Sequence, residues 1–256
     1  MGRVRTWLGR NEERLGIWFI VVVLLAVTAG VLYFGTPFHG SDASVQSVIE
    51  DDRIDVQRVS GDYVLRPTNG ESTTGMVFYP GARVHPDAYL ASLSPLVSDA
   101  NVTVVIVKMP LNLAVLDRDA ATEVLDRNHE IQRWYVGGHS LGGAMACRYA
   151  GDNPDRVSGV LLLGSYCDQS ITDTGLRVLS VTGSEDTVLD QDTYERNKKN
   201  VPENATFREL PGVNHTQFGS YTGQPGDKPS GTPYDVAHSQ LSNATVPWFR
   251  NATAAS

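Results

Sequence analysis

A single serine lies at the centre of the glycine-rich sequence GHSLG, at positions 138–142. The apolar run before it predicts a strand, and the small-residue run after it, 141–150, predicts a helix. A serine in a sharp strand-to-helix turn exposes its hydroxyl at the edge of a sheet, and the flanking glycines prevent backbone clashes. The N–H groups at the helix start favour negative charge on the serine oxygen. This context favours Ser140 as a nucleophile over a structural serine in a small-residue turn.

A serine nucleophile needs a base to take its proton, and the base needs an acid to fix its tautomer. Asp186 comes shortly after a predicted strand at 176–181. His215 follows a later predicted strand, which ends near residue 210. The chain order serine, acid, histidine matches the order expected around such a turn. Glu185 is the alternative acid, and an ordinary loop histidine is the alternative interpretation of His215.

An acyl-transfer site also needs two N–H donors for the oxyanion. The first is predicted to be the N–H of Leu141, directly after the nucleophile, and the second should come from a loop after an early strand. Ala82 is the favoured second donor and Gly81 the next, because a glycine here lets the backbone approach a substrate closely. Arg83 and His85 either line the pocket or are surface residues.

The elements that must position these groups alternate along the chain. This alternation predicts an α/β fold with a mostly parallel central sheet and helices on both faces. The Gly/Pro-rich stretch 222–233 predicts a loop. Predicted strands lie at 61–67, 75–79, 102–107, 134–136, 157–163, 176–181 and 205–210, and predicted helices at 86–100, 120–131, 141–150, 194–200 and 236–249.

An uncharged run, IWFIVVVLLAVTAGVLYF, occupies positions 17–34. As a helix it would be about 27 Å long, close to the hydrocarbon thickness of a bilayer. We therefore predict one transmembrane helix at 17–35. Four arginines before it predict a cytoplasmic N-terminus, 1–16, and an extracytoplasmic domain. A cleaved signal peptide is disfavoured, because the apolar core is long and no good cleavage site follows.

After the span, the polar residues of 36–58 predict a linker that leads into the domain at 59–256. Cys147 and Cys167 are the only cysteines, so the fold must depend on a hydrophobic core rather than on many disulfides. Cys147 is expected inside a helix and Cys167 beyond a strand end. This placement favours two free thiols over a disulfide.

The chain is acidic, with a formal net charge of −8. This charge argues against nucleic acid as a partner. Many carboxylates and few lysines favour solubility in high salt, although a GC-rich genome would also enrich arginine over lysine. No histidine and carboxylate cluster has metal-ligand spacing, so neither a metal nor another cofactor is expected.

Five sequence blocks together resemble the α/β-hydrolase superfamily: FYPGARVHPDAY, VIVKMPLNLAVL, GGHSLGGAMA, VTGSEDTV and NHTQFGSYTGQPGD. More narrowly, they resemble a small bacterial and archaeal branch related to dienelactone hydrolases and carboxylesterases. The resemblance spans roughly residues 60–250. It implies the triad Ser140, Asp186 and His215 and an oxyanion hole built from the PGA loop, residues 80–82. It carries over no particular substrate, and the small-molecule acyl substrate is expected from the chemistry of the triad.

The chain departs from larger relatives at 164–175, which is too short for a helical lid. The resemblance therefore implies a minimal cap and an open site, unless 111–116 or the Gly/Pro-rich loop folds over it. Dienelactone hydrolases use a cysteine nucleophile, and the serine here favours ordinary esters. A peptidase or an acyltransferase would use the same residues. A non-catalytic surface binding protein on a hydrolase scaffold is the alternative from another class.

Overall fold

The computed structural model describes residues 2–254, in two compact units that divide after Thr36. The first unit is one helix, α1 (Gly2–Gly35). Its segment Gly16–Gly35 has a mean hydropathy of 2.6 and is not buried. Among the described residues, this is the one helix long and apolar enough to cross a membrane. The predicted apolar helix is thus confirmed, and it begins well before the predicted span.

The second unit is an eight-stranded sheet with helices on both faces. The strands are β1 (Ile54–Val59), β2 (Asp62–Pro67), β3 (Thr74–Tyr79), β4 (Val102–Ile106), β5 (Arg133–His139), β6 (Gly159–Leu163), β7 (Arg177–Gly183) and β8 (Thr206–Leu210). The helices are α2 (Asp42–Ile49), α3 (Leu90–Ser98), α4 (Ala120–Arg127), α5 (Leu141–Asp152), α6 (Gln191–Asn197) and α7 (Tyr234–Ala254). The predicted strands and helices are all present, with boundaries that differ by a few residues.

The strand order is β1-β2-β4-β3-β5-β6-β7-β8. Only the pairs β1–β2 and β2–β4 are antiparallel, and every other pair is parallel. Because β5, β6, β7 and β8 are parallel neighbours, their carboxyl ends lie along one edge of the sheet. The loops that carry the candidate catalytic residues all leave the sheet at that edge. The predicted mostly parallel α/β fold is confirmed.

Alternate residues of the central strands face two separate hydrophobic clusters. In β3, Met76 and Phe78 pack into a cluster with residues of α3 and α7, whereas Val77 and Tyr79 pack with residues of α4 and α5. All four side chains are fully buried. Burial on both faces explains why the central strands are continuous apolar runs instead of alternating patterns.

The segment 36–58, predicted as a linker, instead contributes α2 and β1 to the second unit. The Ser41 hydroxyl caps α2 by accepting a hydrogen bond from the Ser44 N–H, at 3.3 Å. Val48 of α2 and Ile54 of β1 are buried in the core. The prediction of a linker was wrong because both elements are short, and each buries only one residue among polar neighbours.

Cys147 and Cys167 form a disulfide, with Cα atoms 5.5 Å apart. The chain turns sharply after β6 at Gly164, which has φ 49°, and the segment that follows runs along α5. Arg148 of α5 binds the carboxylate of Asp168 through Nε at 3.0 Å. The prediction of free thiols was wrong, because this turn brings the residue beyond the strand end onto the middle of the helix.

Loss of this disulfide is expected to reduce the stability of the second unit. A bridge that closes a loop of 20 residues should stabilise the fold by about 3 kcal/mol, chiefly by restricting the unfolded chain. Urea unfolding of the full-length chain in detergent, compared with the double variant Cys147→Ala and Cys167→Ala, measures this difference. Reductant should bring the wild type near the variant and leave the variant unchanged. Equal midpoints without reductant would contradict the prediction.

Candidate active site

Ser140 occupies a strained turn between β5 and α5. Its backbone has φ 53° and ψ −125°, a conformation that few non-glycine residues adopt. The Ser140 N–H donates to the Leu163 carbonyl of β6 at 3.0 Å, so the sheet's hydrogen bonds hold this turn in place. A Cβ on Gly138 would lie 2.4 Å from the Gly142 backbone, and a Cβ on Gly142 would lie 2.1 Å from the Tyr79 carbonyl oxygen. Both glycines of the motif are therefore required by close backbone packing.

Asp186 and His215 form a buried pair at the carboxyl edge of β7 and β8. The Asp186 Oδ2 lies 2.7 Å from His215 Nδ1, and both side chains are almost completely inaccessible. The second oxygen, Oδ1, accepts hydrogen bonds from the N–H groups of Val188 and Leu189, at 2.9 and 2.8 Å. These bonds orient the carboxylate so that its free oxygen faces the imidazole.

Glu185, the alternative acid, points away from this pair. Its side chain is exposed, and its N–H donates to the Val213 carbonyl at 3.0 Å. The backbone thus uses the neighbouring position to tie the β7 loop to the β8 loop. Of the two candidate acids, only Asp186 contacts His215.

Ser140 and His215 border one cavity of about 450 Å³, together with Leu141. Within the described chain, His215 Nε2 is buried and has no hydrogen-bond partner. The Ser140 hydroxyl therefore does not donate to this nitrogen. In substrate-free enzymes the hydrogen bond between nucleophile and base is often long or poorly aligned. The structure therefore brings all three predicted residues to one site. The hydrogen bond between the Ser140 hydroxyl and His215 Nε2 is not formed.

The two candidate oxyanion donors of the PGA loop differ in their hydrogen bonding. The Gly81 N–H donates to the Tyr89 hydroxyl at 2.9 Å, so that donor is already engaged. Across residues 2–254, the N–H groups of Ala82 and Leu141 have no acceptor. This difference favours Ala82 over Gly81 as partner to Leu141.

Four further features were predicted to line or cover the pocket: Arg83, His85 and the segments 164–175 and 111–116. Arg83 stacks on the Phe38 ring at 4.8 Å, and His85 lies beside His39, so neither borders the cavity. The segment 164–175 forms no α-helical lid. Of 111–116, Val115 borders the cavity and is half exposed.

A family model described as the alpha/beta hydrolase family matches residues 75–238, more than half of the chain. The protein belongs to the α/β-hydrolase family. No curated protein matches its sequence.

Two solved structures share the fold of this α/β-hydrolase. Est1E from Butyrivibrio proteoclasticus superposes with a TM-score of 0.59 at 14% identity, covering 80% of this chain and 100% of Est1E. A CIB-like hydrolase from Thermoplasma acidophilum superposes with a TM-score of 0.53 at 15% identity, covering 77% of this chain and 99% of that one. At these identities the likeness extends to the fold alone.

Three positioning groups of the α/β-hydrolase were not predicted from sequence. One is Ser165, whose buried hydroxyl donates to the Ser140 carbonyl at 2.7 Å. Its side chain also lies where a Cβ on Gly143 would be, only 2.6 Å away. Ser165 therefore holds the nucleophile turn from the β6 side. The only sequence signal was its place just after a buried strand.

A second group is Asp227, which lies in the Gly/Pro-rich loop. Its carboxylate accepts the N–H groups of His215 and Thr216, at 3.2 and 2.9 Å. The same loop is tied to the acid loop through Thr187, whose hydroxyl donates to the Gly226 carbonyl at 2.8 Å. The loop predicted only as a break in regular structure thus fixes the backbone of the candidate base.

The third group is His139, the residue before the nucleophile. Its ring packs on the His215 ring with centroids 4.3 Å apart, and its Nδ1 lies 3.0 Å from the Tyr89 hydroxyl. Complete burial lowers the pKa of His139 well below its ordinary value, and the adjacent His215 lowers it further. The link from Gly81 through Tyr89 to His139 therefore connects the PGA loop to the candidate base.

The low pKa of His139 predicts a loss of stability in acid. Below pH 6.5, about the pKa of histidine in the unfolded chain, His139 is protonated in the unfolded chain but stays neutral in the folded one. The free energy of unfolding therefore decreases as the pH is lowered. Between pH 7.5 and 5.5 the wild type should lose about 1.4 kcal/mol more than the non-titrating variant His139→Gln. Urea unfolding at both values measures this. The exposed control His129→Gln should lose as much stability between these pH values as the wild type. An equal loss in His139→Gln would contradict the prediction.

Proposed function

We propose that this α/β-hydrolase is a carboxylesterase-like serine hydrolase, which cleaves an ester or related acyl bond through an acyl-enzyme on Ser140. The observation that carries the proposal is the buried contact of 2.7 Å between Asp186 and His215 beside the cavity that Ser140 borders. An oriented carboxylate, an imidazole with a free Nε2 and a strained serine are the parts that acyl transfer requires.

In the first step the Ser140 hydroxyl attacks the carbonyl carbon of the substrate, and His215 Nε2 takes the hydroxyl proton. Asp186 keeps the proton of His215 on Nδ1 and stabilises the imidazolium that forms. Burial of the pair strengthens this interaction, because little water screens it.

The negative charge of the tetrahedral intermediate falls on the former carbonyl oxygen. The N–H groups of Leu141 and Ala82 are the proposed donors to it. His215 then returns its proton to the leaving alcohol, which leaves the acyl group on Ser140. In the second half of the cycle His215 activates a water that attacks the acyl-enzyme, and the carboxylic acid is released.

The cavity walls fit an acyl substrate of modest size. Apolar surface around Ser140 comes from Val115, Leu141, Met145, Val188 and Leu189. Water can enter without opening a helical lid, because 164–175 forms no α-helix. Open access to water supports hydrolysis over acyl transfer to another acceptor. A peptidase would form the same acyl-enzyme, and comparison of ester with amide substrates separates the two.

We further propose that α1 anchors the enzyme in the membrane, with its N-terminus in the cytoplasm and the hydrolase unit outside. The apolar segment Gly16–Gly35 and the arginines that precede it support this topology. The buried disulfide supports it independently, because disulfides persist in oxidising compartments.

Labelling with a fluorescent fluorophosphonate tests the catalytic proposal. The reagent is added to the full-length chain in detergent, at low and at molar salt, and the labelled peptide is identified by mass spectrometry. We expect a single adduct on Ser140, and no labelling of protein that was heat-denatured before the reagent was added. An adduct on another serine, or no adduct on folded protein in either salt, would overturn the proposal and favour a binding protein on a hydrolase scaffold.

A further inference from the structure

A group of two histidines and one carboxylate lies outside the candidate active site. His39, His85 and Asp87 place one ligand atom each within 4.8 Å of one another, and this is the one such group within residues 2–254. The Nδ1 atoms of His39 and His85 lie 2.7 and 2.9 Å from the same oxygen, Asp87 Oδ2. The two rings are tilted by 31° to each other, with centroids 4.4 Å apart. Sequence spacing could not reveal this group, because His39 is distant in the chain.

The backbone around the group is fixed by hydrogen bonds. Phe38 pairs with the strand-like segment at Val84, and the His85 N–H donates to the Phe38 carbonyl at 2.8 Å. Gly40 lies so close to Asp87 that a Cβ would be 2.9 Å from its carbonyl oxygen. A glycine here lets His39 approach Asp87, so the group is held before any ligand arrives.

The carboxylate of Asp87 is held in one orientation. Its side chain is mostly buried, and it faces His39, His85 and the Gly40 N–H. The Gly40 N–H donates to Oδ1 at 3.0 Å, which leaves Oδ2 for the two imidazoles. The group therefore places one carboxylate oxygen against two imidazole nitrogens.

The hydrogen bonds at His85 indicate an electron-rich pocket. The Asp87 N–H donates to His85 Nδ1 at 3.3 Å, which assigns a lone pair to that nitrogen. The same nitrogen faces Asp87 Oδ2 at 2.9 Å. Where that nitrogen carries its lone pair, two acceptor atoms face each other across 2.9 Å, an arrangement that a bound cation stabilises.

We propose that His39, His85 and Asp87 bind a divalent transition-metal ion such as Zn²⁺. Zinc binds imidazole nitrogen and carboxylate oxygen at about 2.0–2.2 Å, which small side-chain rotations provide from the present separations. His39 is 56% exposed in its side chain, so one coordination position stays open to water. The ion would join the segment that follows α1 to the short helical turn Pro86–Tyr89, whose last residue contacts Gly81 and His139.

Zinc titration of the full-length chain in detergent, after removal of metals with a chelator, tests the site. A competing fluorescent zinc indicator reports affinity and stoichiometry at pH 7.5. We expect one high-affinity ion per chain, and at least a tenfold loss of affinity in His39→Ala and in Asp87→Asn. The exposed His129→Ala variant is the matched control and should bind like the wild type.

A second measurement keeps the result independent of folding. Zinc should raise the Tm of the wild type and of His129→Ala but not of His39→Ala, whose fluorophosphonate labelling should stay normal. No tight ion in the wild type, or equal affinity in His39→Ala, would overturn the proposal in favour of a hydrogen-bonded group without a metal. Loss of the ion only in His215→Ala would place it at the candidate active site and overturn the proposal equally.

Discussion

Replacing Ser140 with alanine is expected to lower turnover of p-nitrophenyl butyrate by about 10⁴-fold or more, with little change in stability. Alanine removes the oxygen that attacks the ester, whereas the hydrogen bonds that hold the turn use the backbone N–H and carbonyl of Ser140 and are kept. The backbone strain at φ 53° is the same for both residues. Steady-state hydrolysis by the full-length chain in detergent, with circular dichroism to monitor the fold, measures the effect.

The matched control for this variant is Ser170→Ala. Ser170 is exposed, and its hydroxyl bonds to nearby Thr172, so the loss of this hydroxyl should leave turnover unchanged. Turnover by Ser140→Ala within tenfold of the wild type would show that another group performs the chemistry. It would also remove the basis for an acyl-enzyme at this position.

The second large effect is expected in Asp186→Asn, whose kcat should fall by about 10³–10⁴-fold with little change in KM. An asparagine can keep the hydrogen bonds from Val188 and Leu189 to its carbonyl oxygen. It then presents an N–H group to His215 Nδ1, which favours the tautomer with its proton on Nε2. In that tautomer the imidazole cannot take the proton of Ser140. The rate of fluorophosphonate labelling, which needs the same activation, should fall in parallel.

Glu185→Gln separates this effect from a general loss of charge in the loop. Its side chain is exposed and adjacent in sequence, so turnover and labelling should remain at wild-type levels. A large loss in Glu185→Gln with a small one in Asp186→Asn would reverse the assignment of the acid. A large rise of KM in Asp186→Asn would mean that this carboxylate binds substrate and does not orient the base.

The strands were predictable because burial on both faces requires nearly continuous apolar runs, as in β4 and β6. α2 and β1 were missed because their stability comes from packing of single residues, Val48 and Ile54, against the rest of the unit. Such packing leaves no periodic pattern in a short segment. The disulfide was missed for a similar reason, since the course of the chain after β6 depends on the turn at Gly164.

The candidate site was predictable where chain order alone determines position. Ser140, Asp186 and His215 each follow a strand at the same edge, so knowing the order of strands and loops was sufficient. Asp227 acts through two hydrogen bonds and Ser165 through one, all of them to backbone groups remote in sequence. In the sequence, a carboxylate in a polar loop or a serine after a strand cannot be distinguished from one that is merely solvated. The roles of Asp227 and Ser165 are therefore visible only in the folded structure.

The disulfide has a consequence for when the enzyme matures. Cys167 lies two residues beyond Ser165, and the bridge fastens that segment to the helix that starts at the nucleophile. In the reducing cytoplasm the two thiols stay apart, and the support of the nucleophile turn lacks this covalent restraint. On the proposed topology the bridge forms only after translocation, so the turn that carries Ser140 gains this covalent support outside the cytoplasm.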